Sequence, residues 1–274
     1  MSVSLRHIGP VMLVGAGQMG LALARGWLDA GLPATHLLLV DPAPSPAAEQ
    51  LAADYGLVLN ADASGLLPNV LVLAVKPQII DAVMTPLRSI VGPHTLAISV
   101  AAGIDIARLS RGLEMGRVVR TMPNTPAQVG KGITGAVAGP EVGADDREVA
   151  EALLRAAGPV VWFDDEGQLD VVTAVSGSGP AYVFHLVEAL AEAGRRQGMS
   201  EAVAQQLARQ TVIGAAALLE SDPTDPSVLR KNVTSPNGTT AAGLSVLMGE
   251  NGLVDLMDRT VDAARRRSEE LGRG

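Results

Sequence analysis

The chain has 274 residues, a formal net charge of −8 and no cysteine. That is room for two modest domains or one large one, and the lack of cysteine excludes disulfides, thiol catalysis and cysteine-held metals. The acidic balance and an aromatic content of 2% argue against nucleic acid, which is bound through basic stripes and stacking platforms.

Val11–Val14 is an apolar run that predicts a buried strand. It leads into Gly15-Ala16-Gly17-Gln18-Met19-Gly20, a G-x-G-x-x-G turn, and then into the helical pattern Leu21, Leu23, Ala24, Trp27, Leu28. In such a turn the first glycine allows the bend, the second lets a pyrophosphate approach the backbone, and the third lets helix and strand pack closely. The helix mouth supplies N–H groups and a positive dipole end to the phosphate. A second strand at His36–Val40 ends in Asp41, which lies 21 residues beyond Gly20. That is close to the ~20 expected of the carboxylate that holds the adenosine ribose. The following loop, Pro42–Gln50, contains no Arg or Lys for a 2′-phosphate, so NADH is expected over NADPH.

A helix is expected at Ala47–Tyr55, a short strand at Leu57–Leu59, a turn at Asn60–Asp62 and a helical segment at Ala63–Leu67. Val70–Val75 is apolar on both faces and belongs inside a sheet. It ends in Lys76-Pro77-Gln78, and Lys76 is one of only three lysines, with Lys131 and Lys231. A lysine closing a buried strand either snorkels at the sheet rim or faces a cleft at the carboxyl edge of a parallel sheet, the cofactor-contact reading favoured here. A helix through Val83 and Leu87 follows, then strands at Thr95–Val100, Arg117–Thr121, Ile133–Ala138 and Val160–Phe163, with a helix at Asp145–Ala157 before the last. Alternating strands and helices predict a parallel sheet wound with helices.

From Gly167 the strand pattern stops. Helices are expected at Gln168–Val175, Pro180–Gln197, Glu201–Ser221, Pro226–Asn232, Thr239–Met248 and Leu253–Leu271. The expected division is residues 1–165, a dinucleotide-binding domain, and residues 166–274, an all-helical domain. The segment PAYVFHLVEALAEAG is apolar nearly all round, so it should be buried on several sides, as in a helical domain that intertwines with a second copy. His185 within it reads as a hydrogen-bonded core residue rather than a catalyst. The segment Val175–Ala181 carries glycines for close backbone approach and Pro180 for a helix start. It either lines a cleft or fixes how the helix begins.

The segment Val233–Gly243 reads as a tight turn feeding a helix N-terminus. Hydroxyls at Thr234, Ser235, Thr239 and Thr240 beside free N–H groups either make a neutral cradle for a small carboxylate or form a capping turn that serves only the helix. The four histidines (His7, His36, His94, His185) lack metal-ligand spacing, and no metal is expected. No apolar run approaches the ~20 residues that span a bilayer, and the N-terminus lacks a signal-type apolar region. The expected setting is the cytoplasm, with no membrane partner.

Six motifs together resemble pyrroline-5-carboxylate reductases: GAGQMG (Gly15–Gly20), AVKPQ (Ala74–Gln78), SVAAGI (Ser99–Ile104), VRTMPNTPAQVGKG (Val119–Gly132), SGSGPAY (Ser176–Tyr182) and VTSPNGTTAAGL (Val233–Leu244). The first is generic to dinucleotide enzymes; the last three in this order are specific. The resemblance implies a Rossmann-like α/β domain followed by an all-α dimerisation domain, an interlocked homodimer and NAD(P)H-dependent reduction of a cyclic imino acid to L-proline. It implies cofactor contacts at Gly15, Ala16, Gly17, Gln18, Met19, Gly20, Asn60, Ala74, Val75, Lys76, Pro77, Met122, Pro123, Asn124 and Thr125, joined by Asp41 from the spacing argument. It implies substrate contacts at Ser235, Gly238, Thr239 and Thr240, with Thr240 closest to a catalytic role at the ring nitrogen. This chain departs in having Asn237-Gly238 where the family usually has Gly-Gly. Asn tolerates a left-handed backbone best after Gly. The rival readings are a broader imine reductase, a β-hydroxyacid dehydrogenase relative, or a nicotinamide-binding regulator without catalysis. The dehydrogenases would place a lysine on a helix of the second domain, and Pro180–Gln197 has none.

Overall fold

A computed structural model describes residues 3–60 and 67–272. The chain divides into two compact units, one of Met1–Ser178 with Ala264–Gly274 and one of Gly179–Ala263. The turn and helical segment expected across Asn60–Leu67 fall mainly on residues 61–66, outside the described residues.

The first unit is built on a seven-stranded sheet among the described residues, in the order β2-β1-β3-β4-β5-β6-β7. The strands are β1 (Val11–Val14), β2 (Leu37–Val40), β3 (Val70–Leu73), β4 (Leu96–Ser99), β5 (Val118–Met122), β6 (Thr134–Ala138) and β7 (Val160–Phe163). β1, β3 and β4 are buried at every position, as interior parallel strands covered on both faces must be. Val11 and Leu13 pack with Leu23, Trp27 and Leu153. Their neighbours Met12 and Val14 pack on the other face with Met84, Leu109 and Leu113.

The parallel register lines up the strand ends. Val14 lies opposite both Val40 and Leu73, and Leu73 lies opposite Ser99. The polar segments that follow β1, β2, β3 and β4 therefore leave the sheet along one edge, with the segment after β5 beside them.

The sheet is not parallel throughout. β6 runs antiparallel to β5, with Met122 opposite Gly135, and β7 then runs parallel to β6. The connection after Met122 holds only a short 3-10 turn at Thr125–Val129. A parallel return needs a crossover of a dozen or more residues, so the chain turns back. The strand expected at Leu57–Leu59 is reduced to one bridge, Leu39 to Leu59.

Helices α1 (Gln18–Asp29), α2 (Pro46–Tyr55), α3 (Ile80–Leu87), α4 (Ile106–Leu113), α5 (Ala144–Arg155) and α6 (Gln168–Val172) cover the sheet. Local chemistry sets their ends. Ser45 accepts the Ala48 N–H at 3.3 Å and Pro46 starts α2, which stops at Gly56 with φ +67°. Asp105 accepts the Arg108 N–H and starts α4. Trp27 donates its indole N–H to the Leu153 carbonyl at 2.8 Å and ties α1 to α5 in the core. Buried Arg120 of β5 bonds the Glu166 carboxylate at 2.9 Å, whose same oxygen accepts the Ile106 N–H at 2.8 Å. One ion pair thus fixes β5, the start of α4 and the segment before α6.

The second unit is helical: α7 (Gly179–Arg196), α8 (Glu201–Ser221), α9 (Pro226–Asn232), α10 (Thr239–Leu247) and most of α11 (Leu253–Gly272). Among its described residues only the apolar side chains of Ala204 and Ala208 are fully buried. The expected burial of α7 is not met within a single chain, where Phe184 is 65% and Leu186 52% exposed. His185 is likewise exposed and pairs with Glu188 at 3.1 Å, not with a core partner. The C-terminal end of α11 belongs to the first unit, where the Ser268 hydroxyl meets the Asp170 carboxylate at 2.6 Å. Among the described residues no helix is long and apolar enough to cross a membrane.

Candidate functional site

The glycine turn is held as its sequence requires. Gly15 sits at φ +102°, and a Cβ there would lie 2.5 Å from the Ala74 carbonyl oxygen. A Cβ on Gly20 would lie 2.1 Å from the Gly15 carbonyl oxygen. These two glycines make the turn and let α1 sit on it. Gly17 is different, for nothing lies within 4 Å of where its Cβ would be. It begins α1 with no side chain capping the first N–H groups. An uncovered helix mouth of this kind accepts an anionic phosphate.

Asp41 closes the same turn from β2. Its Oδ2 accepts the Ala16 N–H at 2.8 Å and its Oδ1 accepts the Ala43 N–H at 2.9 Å. Asn60, at φ +52°, clips the backbone beneath it. Its side-chain oxygen accepts the Asp41 N–H and its amide donates to the Asp41 carbonyl, both at 2.8 Å. Asn60 therefore positions the carboxylate, which in turn orders the glycine loop. Each carboxylate oxygen keeps a lone pair for a hydroxyl donor. A cleft of about 430 Å³ opens here, lined by Ala16, Gly17, Gln18, Asp41, Arg25 and Gln128 among others.

Ala74–Pro77 leave β3 beside this turn. The Ala74 N–H reaches the Val14 carbonyl at 2.8 Å, and the Val75 side chain would lie 3.0 Å from a Cβ on Gly15. Lys76 is exposed at the start of a 3-10 turn. Asn124 has its side chain committed inside the protein. Its oxygen accepts the Ile133 N–H at 2.9 Å and its amide donates to the Ser176 carbonyl at 3.2 Å. It joins the segment after β5 to a π turn at Thr173–Gly177, closed by the Ser178 N–H on the Thr173 carbonyl. Gly177 passes so near Met122 that a Cβ would lie 2.7 Å from its methyl group. Single π turns recur where a backbone is shaped for function.

In the second unit, Asn237 adopts the left-handed conformation, φ +57°, just before α10. The Gly-Gly to Asn-Gly departure is thus absorbed by the residue able to take it. Gly238 is needed for space: a Cβ there would lie 2.3 Å from the Ser235 hydroxyl. It begins α10 with no side-chain cap. Among the described residues the hydroxyls of Ser235, Thr239 and Thr240 make no hydrogen bond to the protein, and Ser235, Thr239 and Thr240 are exposed. Thr234 does not belong with them. Its hydroxyl donates to the Arg230 carbonyl at 2.6 Å and serves the end of α9. Three free hydroxyls beside an uncapped helix mouth suit a small carboxylate without a fixed counter-charge.

Gln128 and Arg25 also line the cleft, though the motifs do not mark either as a site residue. Gln128 donates its amide to Gln18 at 2.9 Å and links the segment after β5 to the start of α1. Nothing local marks it, since the contact spans 110 residues. Arg25 was legible in principle. Gln18, Ala22 and Arg25 share one helix face, so a cation on that face had to meet whatever lies over Gln18.

The family model described as pyrroline-5-carboxylate reductase dimerisation matches residues 166–271. A model described as NADP oxidoreductase, coenzyme F420-dependent, matches residues 10–103. The pyrroline-5-carboxylate reductase of Pseudomonas aeruginosa is 41% identical over 264 residues, covering 95% of this chain and 96% of the relative. The solved structure of that enzyme from Coxiella burnetii superposes with a TM-score of 0.88 at 33% identity, covering 97% of this chain and 99% of the other. The Plasmodium falciparum pyrroline carboxylate reductase structure, described with NADP bound, gives a TM-score of 0.78 at 29% identity, covering 97% and 99%.

Proposed function

The chain belongs to the pyrroline-5-carboxylate reductase family, and from that premise we infer its reaction and the residues that carry it. It is an oxidoreductase of proline biosynthesis that reduces (S)-1-pyrroline-5-carboxylate to L-proline with a nicotinamide cofactor, and it works as a homo-oligomer. The cofactor is NADH in preference to NADPH, the oligomer is built on a dimer through the helical unit, and the site residues divide between a cofactor elbow and a carboxylate cradle.

The observation that carries the division is the pair of uncapped helix mouths, α1 at Gly17 and α10 at Gly238. The first follows a parallel strand and lies beside the Asp41 carboxylate, which suits a dinucleotide diphosphate and its ribose. Gly15 and Gly20 shape that elbow, and Ala16, Gly17, Gln18 and Met19 offer it backbone. Asn60 holds Asp41 in place, and Asn124 holds the Met122–Pro123 segment. Ala74–Pro77 line the neighbouring strand end. The second mouth carries only neutral hydroxyls. Ser235, Gly238 and Thr239 bind the substrate carboxylate there.

When bound, the cofactor supplies a hydride. The chain supplies position, because a protonated imine is already electrophilic and reduction needs little acid–base machinery. Thr240 sets its hydroxyl against the ring nitrogen, fixes which face of the C=N bond is presented and holds the proton that stays on the product amine. A neutral cradle also avoids pinning the product too tightly, since no ammonium or guanidinium competes for the proline carboxylate.

Cofactor choice is tested by kcat/KM for NADH and NADPH with the imino acid saturating. The carboxylate of Asp41 repels a 2′-phosphate, so NADH is expected to be favoured at least tenfold. An equal or reversed ratio overturns that part of the reading.

A further inference from the structure

The cleft beside the glycine elbow holds two opposite charges, and the function assigned above uses only one. Asp41 reaches it from the end of β2, fixed by the Ala16 and Ala43 N–H groups. Arg25 reaches it from the second turn of α1. Among the described residues Arg25 makes no ion pair and no hydrogen bond, and it is exposed; its charge acts on Tyr55, whose hydroxyl bonds Asp29. Ser45, the first residue outside α2, lines the same cleft. The loop that follows Asp41 offers no cation of its own.

We propose that Arg25 is a second determinant of cofactor choice, a resident 2′-phosphate partner that Asp41 holds out of use. The inference rests on the assignment of this cleft to the adenosine ribose. A ribose diol can donate both hydroxyls to the fixed carboxylate. A 2′-phosphate placed there carries charge of the same sign as Asp41 at short range and is repelled. A guanidinium in the same cleft is the matching group for a phosphate, with planar paired donors. With the carboxylate present, the repulsion cancels what Arg25 offers. With it neutralised, a phosphate meets a cation that needs no new residue. Cofactor use then turns on one side chain, not on rebuilding a loop.

Binding is read by titration calorimetry with ADP-ribose and 2′-phospho-ADP-ribose, which separates the cleft from turnover. Asp41→Asn keeps an oxygen for the Ala16 N–H and removes the charge; Asp41→Ser serves beside it should the amide disturb the loop. Either variant is expected to bind the phosphorylated ligand at least tenfold more tightly than the wild type does. Arg25→Gln added to it is expected to erase that gain, and Arg25→Lys to restore part of it. The proposal is overturned if neutralising Asp41 brings no gain, or if the gain survives Arg25→Gln. The underlying NADH reading fails separately, if the wild type itself prefers the phosphorylated ligand. In that case Asp41 does not hold Arg25 out of use and that half of the proposal falls; Arg25→Gln in the wild type then decides the other half, loss of the preference keeping Arg25 as the phosphate partner and its persistence removing it.

Discussion

Thr240 stands in the first turn of α10 with an exposed side chain and a hydroxyl the protein does not use. A hydroxyl left free at a helix mouth is either idle or kept for a ligand. Thr240→Ala separates the two. If it holds the ring nitrogen, kcat/KM for the imino acid falls about 100-fold while the Kd for NADH stays within twofold. Unchanged kcat/KM leaves the hydroxyl idle. Single residues also show what a linear sequence conveys. Asp41 was legible because its distance from Gly20 is a property of the strand–turn–helix unit. Asn237 was legible because few residues tolerate positive φ. Thr234 misled, since a hydroxyl next to others in sequence can turn back on its own helix, as this one does to Arg230. The committed side chain of Asn124 could not be foreseen, because its partner Ser176 is 52 residues away.

At the scale of elements, a joint between α5 and the start of β5 carries a pH dependence of stability. Arg117 donates to the Asp146 carboxylate through Nε at 3.0 Å, and Gly143 N–H donates to the same group at 3.0 Å. Arg117 also bonds the Pro93 carbonyl at 3.0 Å. Burial pushes the Asp146 carboxyl upward, but the bonds from Arg117 and Gly143 with the guanidinium charge outweigh it and hold the group below the usual aspartate range. A depressed folded value means the stabilisation is present above the unfolded pKa of about 3.9 and is lost as pH falls through the lower folded value. Asp146→Asn is therefore expected to cost about 2 kcal/mol in urea unfolding at pH 7. The gap to wild type should narrow as pH falls from about 4 toward the lower folded value. A gap that does not change with pH would assign the loss to packing. Most elements followed from periodicity, and β7, α8 and α9 match their expected spans. α4 was missed although Asp105 and the apolar trio Ile106, Leu109, Leu113 marked it. Eight residues between two strand ends are easily passed over as a loop. The reversal of β6 was legible only as a connection too short to cross over. The π turn has no sequence period of its own.

At the scale of the whole molecule, the helical unit buries too little by itself. Two alanines cannot offset the entropy of ordering helices α7 to α10, since each residue fixed costs about 1–2 kcal/mol of backbone freedom. Exposed Phe184, Leu186 and Leu190 on α7 supply what a second copy would cover. Phe184→Glu is expected to shift the protein to monomers in sedimentation velocity and to lower its Tm by several degrees. An unchanged sedimentation coefficient would place the contact elsewhere. A composition of 47% hydrophobic residues leaves apolar surface for an interface, and the nearly all-apolar segment of α7 is where the sequence offers it.

The central claim is that hydride passes from a nicotinamide to the imine carbon of a cyclic imino acid. Incubation of the enzyme with NADH deuterated at the transferring C4 position and (S)-1-pyrroline-5-carboxylate, followed by mass spectrometry of the product, tests it directly. The account predicts L-proline carrying one deuterium at C5, in step with NADH consumed. Folded enzyme that yields no proline, or proline without the label, contradicts it.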